Sequence, residues 1–385
     1  MTETAAASEA TAVYRRIEPG DRLPTLSQDC GDMKGFVFDS CAGRFLLFGL
    51  FLSADDPDIR AMVEAVAARS DLFDGERVSF FGVSVMPRDR EVHRLTGVEP
   101  GVRFVWDFDR TVSNACGATP LNGDVAKGGA VARKWLLVDP SMRVLRSWPM
   151  RETPVEEVIA AVEALPPPDG FGGVTRPAPV LMLPNVLAPE LCRQLTDLHR
   201  NQGGGRDIGF FRGNQQVYDP SFKSRRDVTI TDPALIAALK DSLGRRILPE
   251  IEKLFFMRAN YVERHLIGCY SAEDGGHFRP HIDNGAPSTA HRRFAISINL
   301  NDGFEGGEVV FPEYNMAGYK APAGWAVVFP CAILHAVRRV TAGSRYAYLP
   351  FVYDDTGKAI LTERENAERA QRAEVGPNPS DSRPG

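Results

Sequence analysis

Apolar positions fall along the chain in two different rhythms. Arg44 to Leu52 reads RFLLFGLFL, apolar without alternation, as in a strand buried on both faces. Asp58 to Arg69 follows with Ile59, Met62, Val63, Val66 and Ala67 at helical spacing. A second apolar run covers Val78 to Met86. Shorter ones cover Phe104 to Trp106 and Trp135 to Val138, the last ending at Asp139-Pro140. Pro154 opens a short helix carrying Val155, Val158, Ile159, Val162 and Leu165. Strands alternating with helices predict an α/β sandwich with a largely parallel central sheet.

The rhythm changes after a breaker-rich stretch, Leu165 to Gly173, which continues through Pro177 and Pro179 and marks a domain boundary. Pro189 opens a helix with Leu191, Leu195 and Leu198 on one face, and Asp232-Pro233 starts another that runs past Pro249 to Phe255. Between them, Asn201 to Pro220 is polar and glycine-rich, with Phe210, Phe211 and Tyr218 interspersed. It reads either as a surface loop or as a lid over a site. Beyond the helices the period becomes two. Phe294, Ile296, Ile298 and Leu300 share one face, with Ala295, Ser297 and Asn299 on the other. Val309 to Phe311, Trp325 to Phe329 and Tyr346 to Tyr353 are further strands, punctuated by glycines. Together they predict an all-β sandwich fronted by helices.

A length of 385 residues suits two domains, and the apolar content lets each bury a core. A formal net charge of -5 argues against broad phosphate-backbone binding, so no nucleic-acid partner is expected. No window reaches the length of an apolar membrane span, and Met1 to Ala10 lacks the basic and apolar regions of a secretory signal. Six cysteines without paired spacing read as reduced, buried thiols, and the expected location is cytoplasmic. Thr362 to Glu374 is charged enough for a short surface helix, and Pro377 to Gly385 is expected to be disordered.

The chemistry concentrates in a few of the seven histidines. In His281-Ile282-Asp283, residues two apart on a strand face one side, so both reach one metal. The rival pair, His277 and His281, has helical spacing, but Gly275, Gly276 and Pro280 oppose a helix there. His335 lies 52 residues beyond Asp283, after an apolar strand. Two histidines and one carboxylate on one face of a metal suit non-haem Fe(II) and oxygen chemistry. Ten residues after His335 stands Arg345, whose fork suits a dicarboxylate. Of the others, His265 reads as a satisfied core or strand residue and His277 as a neighbour of the metal ligands. His291-Arg292-Arg293 reads as a solvated turn. With Lys223, Arg225 and Arg226 it forms a charged surface, contact with an acidic substrate being the alternative.

From about Pro179 to Asp354 the chain resembles the 2-oxoglutarate- and Fe(II)-dependent dioxygenases of the prolyl 4-hydroxylase-like branch. The likeness rests on His281-Ile282-Asp283, His335 and Arg345, on Tyr270 upstream, and on Ser297-Ile298-Asn299-Leu300-Asn301. Gly306-Gly307-Glu308 and Pro312 complete it. The resemblance implies a double-stranded β-helix (jelly-roll) with flanking helices. It implies Fe(II) on His281, Asp283 and His335, and 2-oxoglutarate on Arg345 with help from Tyr270. It also implies O2 as cosubstrate and ascorbate as reductant. The expected reaction is hydroxylation of a peptide or protein side chain, proline by default, with release of succinate and CO2; a small-molecule substrate is the alternative. A homodimer is allowed by this reading.

Residues 17 to 165 resemble the peroxiredoxin branch of the thioredoxin fold. That likeness rests on Gly20-Asp21-Arg22-Leu23-Pro24, Val83-Ser84-Val85 and Trp135-Leu136-Leu137-Val138-Asp139-Pro140. The family's peroxidatic cysteine belongs at the turn after the first long strand, which here reads Ser53-Ala54-Asp55-Asp56-Pro57. Cys30, Cys41 and Cys116 lie elsewhere, so this half is expected to be degenerate. The expected layout is a disordered 1–12, a thioredoxin-like domain at 13–165, a linker at 166–179, the dioxygenase domain at 180–356 and a tail at 357–385. The competing functions are a thiol-dependent peroxidase using the first half and a non-enzymatic metal-binding module.

Overall fold

The computed structural model describes residues 12–92, 95–122, 131–173, 176–212 and 215–375. The disorder expected at the extreme N-terminus and at Pro377–Gly385 falls outside them. The chain forms two compact units, Met1–Arg176 with Pro312–Asn315, and Pro177–Phe311 with Met316–Gly385.

The first unit contains β1 (Ser27–Cys30), β2 (Met33–Val37), β3 (Phe45–Phe51), α1 (Pro57–Ala67), β4 (Val78–Ser84), α2 (Pro87–Glu91) and β5 (Val102–Trp106). After these come α3 (Thr111–Ala115), β6 (Lys134–Val138), β7 (Val144–Pro149) and α4 (Val155–Glu163). Its sheet runs β2-β1-β5-β4-β3-β6-β7. Only β3–β4 and β4–β5 are parallel; the other neighbours are antiparallel. The expectation of a largely parallel sheet is therefore corrected to a mixed one. Parallel pairing needs a long crossover, which α1 and α2 supply, whereas β1–β2 and β6–β7 are joined by short turns that allow only antiparallel return. Every residue of β3 and β4 is buried, as the unbroken apolar runs predict. Phe45, Leu47 and Phe51 pack in one core with Ile59, Met62 and Val66 of α1 and Val158 and Val162 of α4.

The second unit begins with β8 (Leu181–Leu183), α5 (Pro189–Gln202), β9 (Gly205–Asp207), β10 (Gly209–Arg212), β11 (Gln215–Tyr218), β12 (Lys223–Thr229), α6 (Pro233–Arg246) and α7 (Leu248–Phe255). Then come β13 (Tyr261–Glu263), β14 (Leu266–Ser271), β15 (His277–His281), β16 (Phe294–Asn299), β17 (Phe304–Gly306), β18 (Val309–Phe311), β19 (Asn315–Tyr319) and β20 (Ala326–Pro330). The last elements are β21 (His335–Val337), β22 (Val340–Tyr348), β23 (Phe351–Tyr353) and α8 (Asp355–Val375).

The strands run β13-β23-β16-β22-β14-β12-β15-β21-β18-β19 in a curled antiparallel sheet, consistent with a jelly-roll. β20 pairs with β16 and β8, β9 with β12, and β17 with β22. Leu195 of α5, Leu235, Leu239 and Leu243 of α6 and Ile251 of α7 share a core with Ile267, Ile296, Ile298 and Val328 of the sheet. The single helix expected from Asp232 to Phe255 is two helices, broken at Ile247 just before Pro249, whose ring cannot continue an interior turn. The glycine-rich stretch after α5 forms β9 and the β10–β11 hairpin, with Phe211 and Tyr218 exposed. No helix among the described residues is long and apolar enough to cross a membrane.

Candidate active site

His281 ends β15 and His335 begins β21, and the two are cross-strand partners with ring centroids 4.2 Å apart. Asp283 follows the strand, and its N–H donates to Cys331 O at 2.9 Å, which anchors the turn beside the β20–β21 connection. One ligand atom from each of His281, Asp283 and His335 lies within 4.8 Å of the others. Nε2 of His335 is 3.3 Å and Nε2 of His281 3.7 Å from the Asp283 carboxylate.

The far sides of both rings are spoken for. Nδ1 of His281 faces Arg279 O at 2.7 Å, and Nδ1 of His335 faces Ile333 O at 3.1 Å. A carbonyl can only accept, so Nδ1 carries the proton and the Nε2 lone pair is left for a metal. Phe278 stacks on His281 with centroids 3.5 Å apart. Burial, then the neighbouring His335, pushes the His281 imidazolium down to about 3, so the ring is neutral near pH 7. Burial alone would raise the Asp283 carboxyl, but His335 and His281 outweigh it and hold it well below the usual carboxylate range. Two imidazoles whose Nδ1 atoms face carbonyls, with a carboxylate on the same side of a point, are a donor set that fits Fe(II).

The rival ligand His277 is elsewhere. Its ring nitrogens face Gly275 O at 2.7 Å and Ser221 O at 2.9 Å.

Arg345 lies opposite Tyr270 where β22 pairs with β14. It is 2% exposed. Its Nε donates to Asn299 Oδ1 at 2.9 Å and its Nη2 to Ser297 Oγ at 2.7 Å, while Nη1 is sealed from solvent without a partner. An unmet guanidinium donor is costly to bury, so the position fits an incoming carboxylate oxygen. The guanidinium lies 5.5 Å from the Tyr270 ring centroid, and the Tyr270 hydroxyl accepts from Arg225 Nη1 at 3.3 Å. Tyr270 packs in one apolar cluster with Phe304, Val337 and Val340, which Phe278 joins. That cluster links the floor under Arg345 to the strands that carry His281 and His335.

Three residues of this arrangement have no role assigned from the sequence: Ser297 and Asn299, which enter only as part of the Ser297-Ile298-Asn299-Leu300-Asn301 match, and Arg225, which reads as surface charge. The first two had a visible signal, being the polar positions opposite the apolar face of β16, whose six residues are all buried.

The charged surface expected from Lys223 and Arg225 is corrected, since both are 4% exposed. With Asp227 they occupy one face of β12, as alternation requires. Lys223 pairs with Asp207, and Arg225 with Asp227 and Asp207. Burial, with Arg225 nearby, pushes the Lys223 ammonium down to about 8. Arg226, on the opposite face, pairs with Asp274 at 2.6 Å. The solvated turn expected at His291-Arg292-Arg293 is corrected too. His291 is buried with Nε2 2.6 Å from Glu263, Arg292 holds the same carboxylate at 2.6 Å, and Arg293 holds Asp354 at 3.3 Å. The carboxylates come from β13 and from the residue after β23, segments far away in the sequence. His265 faces the Tyr348 hydroxyl at 2.7 Å, a satisfied pair.

Residues 266–353 match the model of the 2OG-Fe(II) oxygenase superfamily. That span contains Tyr270, His281, Asp283, His335 and Arg345. A PKHD-type hydroxylase of Pseudomonas putida is 37% identical over 128 residues, 30% of this chain and 56% of that protein. The chain thus spans little more than half the length of this relative. A PKHD-type hydroxylase of Gluconobacter oxydans is 31% identical over 199 residues, 48% of this chain and 84% of its own. Among solved structures, a Pseudomonas putida prolyl-4-hydroxylase matches with 17% identity and a TM-score of 0.36, covering 46% of this chain and 92% of that one. Xanthomonas campestris peroxiredoxin Q matches with 17% identity and a TM-score of 0.30, covering 36% and 90%. Because the Gluconobacter relative is matched over most of its length, and the oxygenase model over the strands that carry the site, the chain belongs to the 2OG-Fe(II) oxygenase superfamily.

Proposed function

We propose that the second unit is an Fe(II)- and 2-oxoglutarate-dependent dioxygenase that hydroxylates a peptide or protein side chain, proline being the first target to try. The observation that carries this reading is the sealed, unpartnered Nη1 of Arg345, joined through the Tyr270 cluster to a His-Asp-His triad. Iron, when bound, supplies the oxygen-activating oxidation that converts 2-oxoglutarate to succinate and CO2 and places one oxygen atom on the substrate.

The chain's own residues do the rest. His281, Asp283 and His335 hold the metal, their ring planes set by the carbonyls of Arg279 and Ile333. Arg345 takes the distal carboxylate of 2-oxoglutarate while Ser297 and Asn299 hold its fork in place. The Tyr270 oxygen accepts from Arg225, which leaves the phenolic proton free to donate to the cosubstrate. Phe278 and Phe329, packed against the two histidines, keep water from the ligand side. Ascorbate is the reductant to include.

The first unit is read as a degenerate peroxiredoxin-like module kept for docking or stability. In the turn after β3, Ser53 Oγ donates to the Asp89 carboxylate at 2.8 Å, where a peroxidase would need a thiolate. Cys30, Cys41 and Cys116 are buried, and burial pushes the Cys30 and Cys116 thiols up to about 12.

The test is succinate formation by protein reconstituted anaerobically with Fe(II), then given O2, 2-oxoglutarate and ascorbate. Production above an Asp283→Ala control is expected. None above that control, even with candidate peptides, sinks the reading. Peroxide consumption with a thiol donor that survives His335→Ala would favour the peroxidase instead.

A further inference from the structure

Arg264 connects β13 to β14 in an unusual state. Its φ is +62°, a left-handed conformation that is uncommon for a residue with a long side chain. Its Nε is sealed from solvent without a partner, and among the described residues no carboxylate lies within ion-pair distance of its guanidinium, Asp227 and Asp283 acting on it only from further away. The guanidinium instead lies 4.8 Å from the centroid of the Phe351 ring, which Arg292 also covers at 4.1 Å.

The neighbouring cations are matched. Arg292 has Glu263, Arg293 has Asp354, and Arg225 has Asp227 and Asp207. Arg345 is the one already given to the cosubstrate. Arg264 is left over, and burial, with Arg225 and Arg292 facing it, pushes it down to about 10 against the pull of Asp227 and Asp283. It is still charged near neutral pH.

The place of this charge follows from the backbone. Asp283 N–H donates to Cys331 O, Cys331 N–H to Arg293 O, and Arg293 N–H to Val352 O, beside Phe351. Phe351 pairs with Glu263, the residue before Arg264. One hydrogen-bonded rim of backbone therefore joins the metal-ligand turn to Val352 and, through the Phe351–Glu263 pairing, to Arg264. On the other side of that rim Arg225 packs so closely on Gly268 that a Cβ there would lie 2.7 Å from Arg225 Cδ. Arg225 in turn meets the Tyr270 hydroxyl at 3.3 Å.

A half-buried cation, held in a strained backbone state and lacking any carboxylate of its own, is costly unless an anion completes it. We propose that Arg264 receives a carboxylate of the hydroxylated substrate at the rim of the metal centre. The substrate class is then an anionic one, either a peptide with an acidic residue beside the reacting side chain or a small carboxylic acid. This rests on the dioxygenase reading of the same site.

The test titrates full-length protein, loaded with Fe(II) and 2-oxoglutarate under nitrogen, with two pairs of probes in a calorimeter. One pair is the acetylated and amidated peptide Ala-Pro-Asp-Ala and its Ala-Pro-Asn-Ala counterpart. The other is N-acetylproline and its primary amide. The anionic member of at least one pair is expected to bind roughly tenfold more tightly, as suits one charge-assisted contact. Which pair discriminates tells a peptide from a small acid. The preference disappears in Arg264→Gln and in Arg264→Gly, the second of which suits the positive φ and guards against misfolding, and it partly survives in Arg264→Lys. Succinate formed without any probe stays near the wild-type rate in all three variants. No preference for the anionic member of either pair overturns the proposal, as does a preference that persists in Arg264→Gln and Arg264→Gly. A wild type that discriminates the probes but forms no succinate above Asp283→Ala would instead remove the dioxygenase reading and leave the anion site standing.

Discussion

A guanidinium that is 2% exposed is costly unless its donors are met, and Arg345 meets two of them through Ser297 and Asn299. The hydrogen bonds of these side chains run to Arg345 and, from Asn299 Nδ2, to Ala321 O, so on the proposed function their loss is expected to act on cosubstrate binding. For Ser297→Ala and Asn299→Ala, the KM for 2-oxoglutarate is expected to rise by roughly tenfold, the size of one lost charged hydrogen bond, with a smaller change in kcat. Succinate kinetics at fixed Fe(II) check this. Glu263 offers a second residue-scale test. Burial alone would raise its carboxyl, but Arg292 and His291 hold it below its ordinary value. The unfolded chain therefore binds more protons than the folded one as pH falls through about 4, so this contribution is present above that range and lost below it. Denaturation midpoints of the wild type should fall more steeply between about pH 5 and pH 3 than those of Glu263→Gln. Motif spacing draws attention to His281, Asp283, His335 and Arg345. Spacing says nothing about Glu263, because its partners Arg292 and His291 lie 29 and 28 positions away.

At the scale of elements, strand alternation explains much of the site. β16 sends Phe294, Ile296 and Ile298 into the helical core, which turns Ser297 and Asn299 toward Arg345. β12 places Lys223, Arg225 and Asp227 on one face by the same rule. Periodicity of two is a property of the extended backbone; it was legible in β16, whereas β12 reads in the sequence only as a cluster of surface charge. Which face meets solvent was not legible, because β12 is covered by β9, β14 and β15, all brought by other parts of the chain. The turn between β14 and β15 depends on Gly276. A Cβ there would lie 2.7 Å from Tyr270 Cα and C and from Ser271 N, backbone atoms that cannot step aside. Gly276→Ala is expected to lower stability by about 1–3 kcal/mol and, by displacing Tyr270, to weaken 2-oxoglutarate binding. Urea midpoints and the KM for 2-oxoglutarate report the two effects separately.

At the scale of the whole molecule, the proposed chemistry belongs to the second unit. In the other, the turn after β3 is built around Asp89, which takes Ser53 Oγ, Ala54 N and Ser84 Oγ. A cysteine at position 53 would face that carboxylate, which opposes a thiolate. Ser53→Cys is therefore expected to gain no thiol-dependent peroxide consumption and to leave succinate formation unchanged; a peroxide-consumption assay beside the succinate assay checks both. By itself the sequence determined the two rhythms of apolar residues, the buried strands at Phe45–Phe51 and Val78–Ser84, and a triad with an arginine at recognisable spacing. These follow from local backbone period and side-chain chemistry, which neighbouring residues settle among themselves. Only the tertiary structure decided that the first sheet is mixed, that Lys223, Arg225 and His291 are buried in ion pairs, that Ser297 and Asn299 grip Arg345, and that Arg264 Nε is sealed without a partner. Each of these depends on which distant strand lies alongside. That choice is made by long-range pairing and burial, terms that no local pattern contains.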